Sequence, residues 1–476
     1  MSSEKMDERE SAAASVVEDA KRRCATLTDR LHRLNTSKLS RPLKNTISRL
    51  IQSELNFLHR VPAASHSLSH NIGHLEAVVH VLQQPSVTGV SRVCKAVSLS
   101  HSRSIYVDIV CSLNGNPVWF IVSDRNPRYI FWDCDSRDKN KGLKQKIVHV
   151  LDAARQSSVT LRPSSIVLFF SRGLDSDVDQ KLRCEFGAVD FEMENFSCEE
   201  LQVEGGWTYV VLGRLFPDAR FVEIEVHEDD DTRETILDSA RMVDPVSCKK
   251  KHDECFDSNS IGSSLCHFVS AMKCWCCSSS DVDDDDNNVG LQVGSIKQSR
   301  KCSEAKVVNF DTTVLVAIVS GISNGGSGKL LAKPESELRA RFKGNYDFVI
   351  AQVDCEHQHP IHNELLSSIS GKQGIICESV RSEFEELISM CGGPNEKLRA
   401  EYLLKFLKVV PDCPSTRLIS LQTTRKLAVK NKVVFGTGDN WCAQTVTANM
   451  GFVRAVSQTG MSLSVIEHRP RALIGE

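Results

Sequence analysis

Between Ser11 and Gln84 apolar residues recur at helical spacing. Leu43, Ile47, Leu50, Ile51, Leu55 and Leu58 fall on one face, and Ser40 with Pro42 supplies a start signal, so 1–86 is expected to be an N-terminal helical segment. From Val90 to Val226 the pattern turns to strands. Ile105 to Leu113 and Pro117 to Ser123 flank Asn114-Gly115-Asn116, a hairpin signal because a tight turn needs backbone angles that Asn and Gly adopt readily. Lys139 to Arg155 and Asp177 to Phe186 read as helices and Ile166 to Phe170 as a buried strand, which makes 87–243 a mixed α/β domain.

The periodicity lapses over 244–304. Ser278-Ser279-Ser280, the run Asp283 to Asp286 and Asn287-Asn288 offer nothing to a core, and the stretch is expected to be a disordered linker, acidic and rich in Ser and Cys. Order returns over 305–476. Val307 to Phe310 reads as a buried strand, and Asp311-Thr312-Thr313 opens an apolar helix from Val314 to Ile322 that a loop from Ser323 to Lys329 ends. Ile375 to Cys377 is a second strand. The helix after it carries Val380, Phe384, Leu387 and Cys391 on its apolar face, with Glu383 at the edge of that stripe. Gly392-Gly393-Pro394 stops this helix, and Glu396 to Leu407 and Ser415 to Val429 read as two more, on either side of Val409-Val410. Val433 to Phe435 and Thr445 to Thr447 read as strands leading to Asp439 and Asn449, and a helix follows with Phe452, Ala455 and Val456 on one face. Such alternation predicts a Rossmann-like α/β domain around a central parallel sheet.

Composition excludes a few classes. A length of 476 residues with 41% hydrophobic content is ample for about three domains with real cores. The formal charge of -3 gives no overall pull toward nucleic acid, so such binding would need a local basic patch. The polar, acidic stretch from Met1 to Glu10 matches neither a secretory signal nor a presequence, and the longest apolar run, Val314 to Ile322, falls short of the ~20 residues of a membrane helix. The expected setting is cytoplasm or nucleus, with no membrane partner and with most of the 18 cysteines as free thiols.

Several candidate motifs fail on inspection. His66, His70 and His74 are spaced four apart but lack a Glu or Cys in register. Asp108 before the strand Val118 to Ser123 faintly resembles the core of restriction-type nucleases, yet Ile121-Val122-Ser123 stands where the second acid and the lysine belong, so no metal site of that kind forms. Cys248, His252, Cys255, Cys266, His267, Cys274, Cys276 and Cys277 match no paired zinc knuckle. Ser323 to Leu330 misses the register of a phosphate loop at both ends.

Asp311, Glu383 and Asp439 remain. They come from three separate elements and all fall just beyond strand ends in the expected layout. Converging carboxylates repel one another unless a cation neutralises them, and oxygen-only ligands select Mg²⁺ or Mn²⁺, which activates water against a phosphodiester. Val307 to Leu315, with its Asp311-Thr312 pair, resembles the opening strand of PIN domains, which are metal-dependent ribonucleases. Glu378 to Phe384 is similar to that family's second acidic helix, Gly438-Asp439 to its third acid, and Thr447-Ala448-Asn449 to its last motif, where Asn449 replaces an Asp.

From Lys306 to Glu476 the chain resembles an uncharacterised eukaryotic domain-of-unknown-function family classed as PIN-like, through Phe435 to Asp439, Thr447 to Asn449, Gly451 to Ala455 and His468 to Leu473. Ala20 to Val226 resembles that family's companion domain. The resemblance implies a ribonuclease with Asp311, Glu383 and Asp439 as metal ligands, Asn449 as a neutral fourth catalytic position, and Thr312, Thr447, Arg454, Arg469 and Arg471 at the substrate. Its alternative is a degenerate module that binds RNA or a protein without cutting. For either, Arg417, Arg425, Lys426, Lys430 and Lys432 join Arg454, Arg469 and Arg471 as a source of positive charge.

Overall fold

Leu43, Ile47, Ile51 and Leu58 form the buried face of helix α2 (Arg41–Arg60), as their spacing predicts. The structure is a computed structural model that describes residues 2–35, 38–60, 71–98, 104–133, 142–191, 216–227, 262–273 and 307–476. The chain divides into two units, Met1–Ile236 with Val456–Leu463, and Leu237–Ala455 with Ser464–Glu476. His66, His70, the acidic run from Asp283 to Asp286 and most of the expected linker lie outside the described residues.

The first unit begins with α1 (Ser2–Arg33), α2 and α3 (Ile72–Gln83). Strands β1 (Val87–Ser98), β2 (Ser104–Leu113), β3 (Asn116–Ser123), β4 (Ser165–Phe170), β5 (Val189–Asp190) and β6 (Arg220–Glu225) form a mixed sheet in the order β1-β2-β3-β4-β6-β5. The hairpin falls where the sequence predicts it. Leu113 pairs with Asn116, and Asn114 and Gly115 take φ of 48° and 86°, the two positive angles of a type I′ turn. Strand β3 alternates: Val118, Phe120 and Val122 join a core with Leu27, Ile47 and Val78 of α1 to α3. Trp119 and Ile121 join a second core with Ile147 and Leu151 of α4 (Leu143–Gln156) and Leu182 of α5 (Ser176–Phe186). Helices therefore cover the sheet on both faces.

In the second unit β7 (Val307–Phe310), β8 (Gln373–Cys377), β9 (Lys408–Val410), β10 (Gln444–Thr447) and β11 (Val465–Glu467) pair in parallel in the order β11-β10-β7-β8-β9. The chain steps outward from β7 to β8 and β9, then crosses to β10 on the other side of β7. Strands β7 and β10 therefore flank the point where the order reverses, and in open α/β sheets the crevice beyond the carboxyl ends at that point is where ligands bind.

Four local expectations are corrected. Val433 to Phe435 is not a strand but part of the helix Val429–Asn440. Ser415 to Val429 is not a helix: only Thr416–Ile419 is helical. Beyond it the Thr424 hydroxyl accepts the Leu427 amide at 3.1 Å, a local bond that competes with the helical ladder. The Ser323 to Lys329 stretch is not a plain loop either, since a π turn over Ile322–Gly326 runs into the helix Ser327–Leu331. The apolar stretch Thr312–Leu331 thus reaches the length and composition of a membrane-crossing helix, but most of it is buried in the unit and Asn324 and Gly325 leave helical geometry. Lastly, within the expected linker Ser263–Ser270 forms a helix with Leu265, Phe268 and Val269 buried.

Candidate functional site

Asp311 directly follows β7 and caps the helix Thr312–Val319. Its Oδ1 accepts the Val314 amide at 3.0 Å and the Thr313 hydroxyl at 2.6 Å, while the Thr447 hydroxyl at the end of β10 donates to Oδ2. Burial pushes the carboxyl above its ordinary range, and these donors pull it partly back. The network extends on both sides. Thr447 Oγ1 accepts the Asn449 amide at 2.9 Å, and Thr313 Oγ1 lies 3.2 Å from Nε2 of His468. Burial pushes His468 down to about 4, so its imidazole is neutral at physiological pH. All of this sits at the point where strand order reverses.

The other two acids make bonds of their own. Glu383, on the helix Glu378–Cys391, accepts the Thr312 hydroxyl at 2.7 Å through Oε2, and the Lys430 ammonium pairs with its Oε1. Asp439, near the end of the helix Val429–Asn440, accepts the Ser415 hydroxyl at 2.6 Å and lies 3.5 Å from Nε of Arg417. Asn449 turns its Oδ1 to the Phe452 amide at 3.2 Å, which makes it a helix cap. Among the described residues, Asp311, Glu383 and Asp439 do not form a group whose ligand atoms lie within 4.8 Å of one another. As arranged, they do not fit a shared Mg²⁺ or Mn²⁺ ion.

Residues 308–476, which hold every side chain just described, match a family model whose description is protein of unknown function (DUF1308). This stretch is a DUF1308 domain. The match leaves residues 1–307 outside it, and no solved structure matches the chain.

Within the DUF1308 domain the expected substrate residues divide. Arg454 and Arg469 are exposed. Thr447 is buried against Asp311, and Thr312 is bonded to Glu383. Arg471 is a correction: its side chain is fully buried, with Nε 2.6 Å from Glu356 Oε2 and further bonds to the carbonyls of His359 and Pro470. Arg417 and Lys432, expected as surface charge, are buried as well. No periodicity separates a buried arginine from a surface one; a carboxylate partner over a hundred positions away decides it.

The domain also has an open cleft of about 660 Å³ beyond β8 and β9. Glu378 follows β8 and Asp412 follows β9, and with Glu383 and Glu386 they give the cleft four carboxylates against one lysine, Lys430. Leu387 and the exposed Met390 supply its apolar side.

Proposed function

We propose that the DUF1308 domain is a PIN-like module that binds a protein partner and does not cleave RNA. One observation carries this reading: the cations beside the acids are built in. Lys430 neutralises Glu383, and the Arg417 guanidinium stands against Asp439, so the chain itself supplies the positive charge that a divalent ion supplies in an active carboxylate site. The parallel strand order and the acid directly after β7 support the PIN-like part of the reading.

The cleft favours a protein ligand. Phosphates are repelled by Glu378, Glu386 and Asp412, the carboxylates outside the Lys430–Glu383 pair, whereas a segment rich in Lys or Arg gains from them, and Met390 and Leu387 offer an apolar anchor point beside the charge. Incubating the full chain with fluorescent single-stranded RNA and Mn²⁺ tests the first half. The expected result is intact RNA, with wild type and Asp439→Asn indistinguishable. Mn²⁺-dependent cleavage that Asp439→Asn abolishes restores the nuclease reading. A fluorescent Lys/Arg-rich peptide carrying a leucine tests the second half: its binding should weaken with salt and with Glu386→Lys, and an unchanged affinity in that variant removes the cleft from the account.

A further inference from the structure

Three side chains in the first unit, separate from the DUF1308 domain, meet at one point. His74 stands in the first turn of α3, Cys94 on β1 and Asp108 on β2, and one ligand atom from each lies within 4.8 Å of the other two. Asp108 is buried, and its Oδ2 accepts the Val122 amide at 2.7 Å, which fixes the carboxylate. Among the described residues its Oδ1 has no hydrogen-bond partner, although Nε2 of His74 is only 2.9 Å away. The two atoms are close without being aligned on each other. Two ligands of one ion can stand near each other in this way without bonding each other; with bonds of roughly 2.0–2.1 Å, nitrogen and oxygen on a tetrahedral zinc stand about 3.3 Å apart, so the 2.9 Å pair has to open by about 0.4 Å as the ion enters.

Cys94 completes the group. It takes φ of 47°, a left-handed conformation that a residue with a side chain keeps only where its surroundings hold it. The Tyr106 hydroxyl bonds the Cys94 thiol, and Lys146, exposed on α4, lies within the field of Asp108. These two are the groups that would support or compete with a bound cation.

We propose that His74, Cys94 and Asp108 bind a Zn²⁺ ion, with the fourth position open to water. One nitrogen, one sulfur and one oxygen ligand select zinc over Mg²⁺ and Ca²⁺, which take oxygen sets. Binding uses the thiolate, so the Cys94 proton is released to solvent as the ion enters. The ion ties the start of α3 to the β1–β2 pair, a link between helix layer and sheet that no covalent bond supplies.

Zinc titrated into the full chain after chelator treatment tests this, with a chromophoric competitor reporting affinity and stoichiometry. Other thiols in the chain also take zinc, so the readout is the difference between wild type and variants. Asp108→Asn and Cys94→Ser should each lose one tight equivalent, with affinity at that site falling about tenfold or more. Co²⁺ in place of zinc should give a thiolate-to-cobalt band that Cys94→Ser reduces. A second measurement needs no variant: Zn²⁺, but not Mg²⁺, should slow alkylation of Cys94 in wild type, followed by peptide mass mapping. Unchanged stoichiometry in a folded Asp108→Asn protein, or an alkylation rate of Cys94 indifferent to Zn²⁺, overturns the proposal.

Discussion

The Thr447 hydroxyl donates to Oδ2 of Asp311, and so joins the carboxyl ends of the two strands between which the chain order reverses. In a metal site that oxygen would face an ion. Here both carboxylate oxygens are used by the protein, one by Thr447 and the other by the helix cap and Thr313. The consequence is that Asp311 acts on stability.

Asp311 titration gives the first prediction. Burial raises its folded pKa above the unfolded value of ~3.9. Between the two values the folded state holds a proton that the unfolded state has lost, so stability falls as pH rises through that window and is level above it. Asn also caps helices well and is neutral, so Asp311→Asn should gain on wild type as pH rises from acid to neutral. Asp311→Ala should lose about 1–2 kcal/mol with the cap. Urea unfolding across pH measures both, and a constant difference between wild type and Asp311→Asn would rule out a buried, raised carboxyl.

Asn449 separates a ligand from a cap. Its Oδ1 accepts the Phe452 amide, as an N-cap side chain does. Asn449→Asp should keep the bond, add a favourable charge at the helix start, and leave Mn²⁺ affinity measured by calorimetry where it was. Asn449→Ala should cost about 1 kcal/mol. A clear rise in Mn²⁺ affinity in Asn449→Asp would instead place this residue at an ion.

Gly438 sets how closely the helix Val429–Asn440 approaches the sheet. A Cβ there would run into the Thr445 hydroxyl and stand 2.7 Å from Nδ2 of Asn309, which itself bonds Thr445 at 3.0 Å and the Val434 carbonyl at 3.2 Å. Ala is the better helix former in isolation, so propensity predicts a gain. The packing predicts a loss of about 1–3 kcal/mol for Gly438→Ala, read as a lower urea midpoint.

The same helix marks where sequence reading stops. Val433, Val434 and Phe435 look like a strand because β-branched and aromatic residues favour one, and Gly436 and Gly438 argue against a helix. Tertiary contact overrides both: Phe435 packs on Phe452 with ring centroids 4.6 Å apart, and a Cβ at Gly436 would meet Pro414 at 2.7 Å. Where the signal is local, the reading matches the structure, as at the Asn114-Gly115 turn, β7 and the Asp311 cap. Asp311, Glu383 and Asp439 are expected just beyond strand ends; Asp311 is there, but Glu383 lies within the helix Glu378–Cys391 and Asp439 within the helix Val429–Asn440, and the use of none of the three is legible. Lys430 and Arg417 lie at distances along the chain that no spacing rule connects to them. His74 and Asp108 each stand out in a motif that fails, and their meeting with Cys94 is hidden for the same reason, since the three belong to different elements.

Arg471 gives the last prediction, because a surface role and a buried role differ sharply in what mutation does. Its guanidinium is fully buried beside Glu356, whose two carboxylate oxygens also share the Ile361 amide, at 3.2 and 3.3 Å. Burial pushes the Glu356 carboxyl up, and Arg471 pulls it back, so removing the arginine leaves a carboxylate with its main compensation gone. Arg471→Ala should therefore cost about 3–5 kcal/mol, the range for breaking a buried pair. Arg471→Met with Glu356→Leu removes both charges and keeps much of the volume, so the double variant should recover a large part of that loss. The comparison is made by urea unfolding of the two single variants and the double variant. If Arg471→Ala unfolds like wild type, the guanidinium is not held inside the protein and its place at a ligand surface is restored.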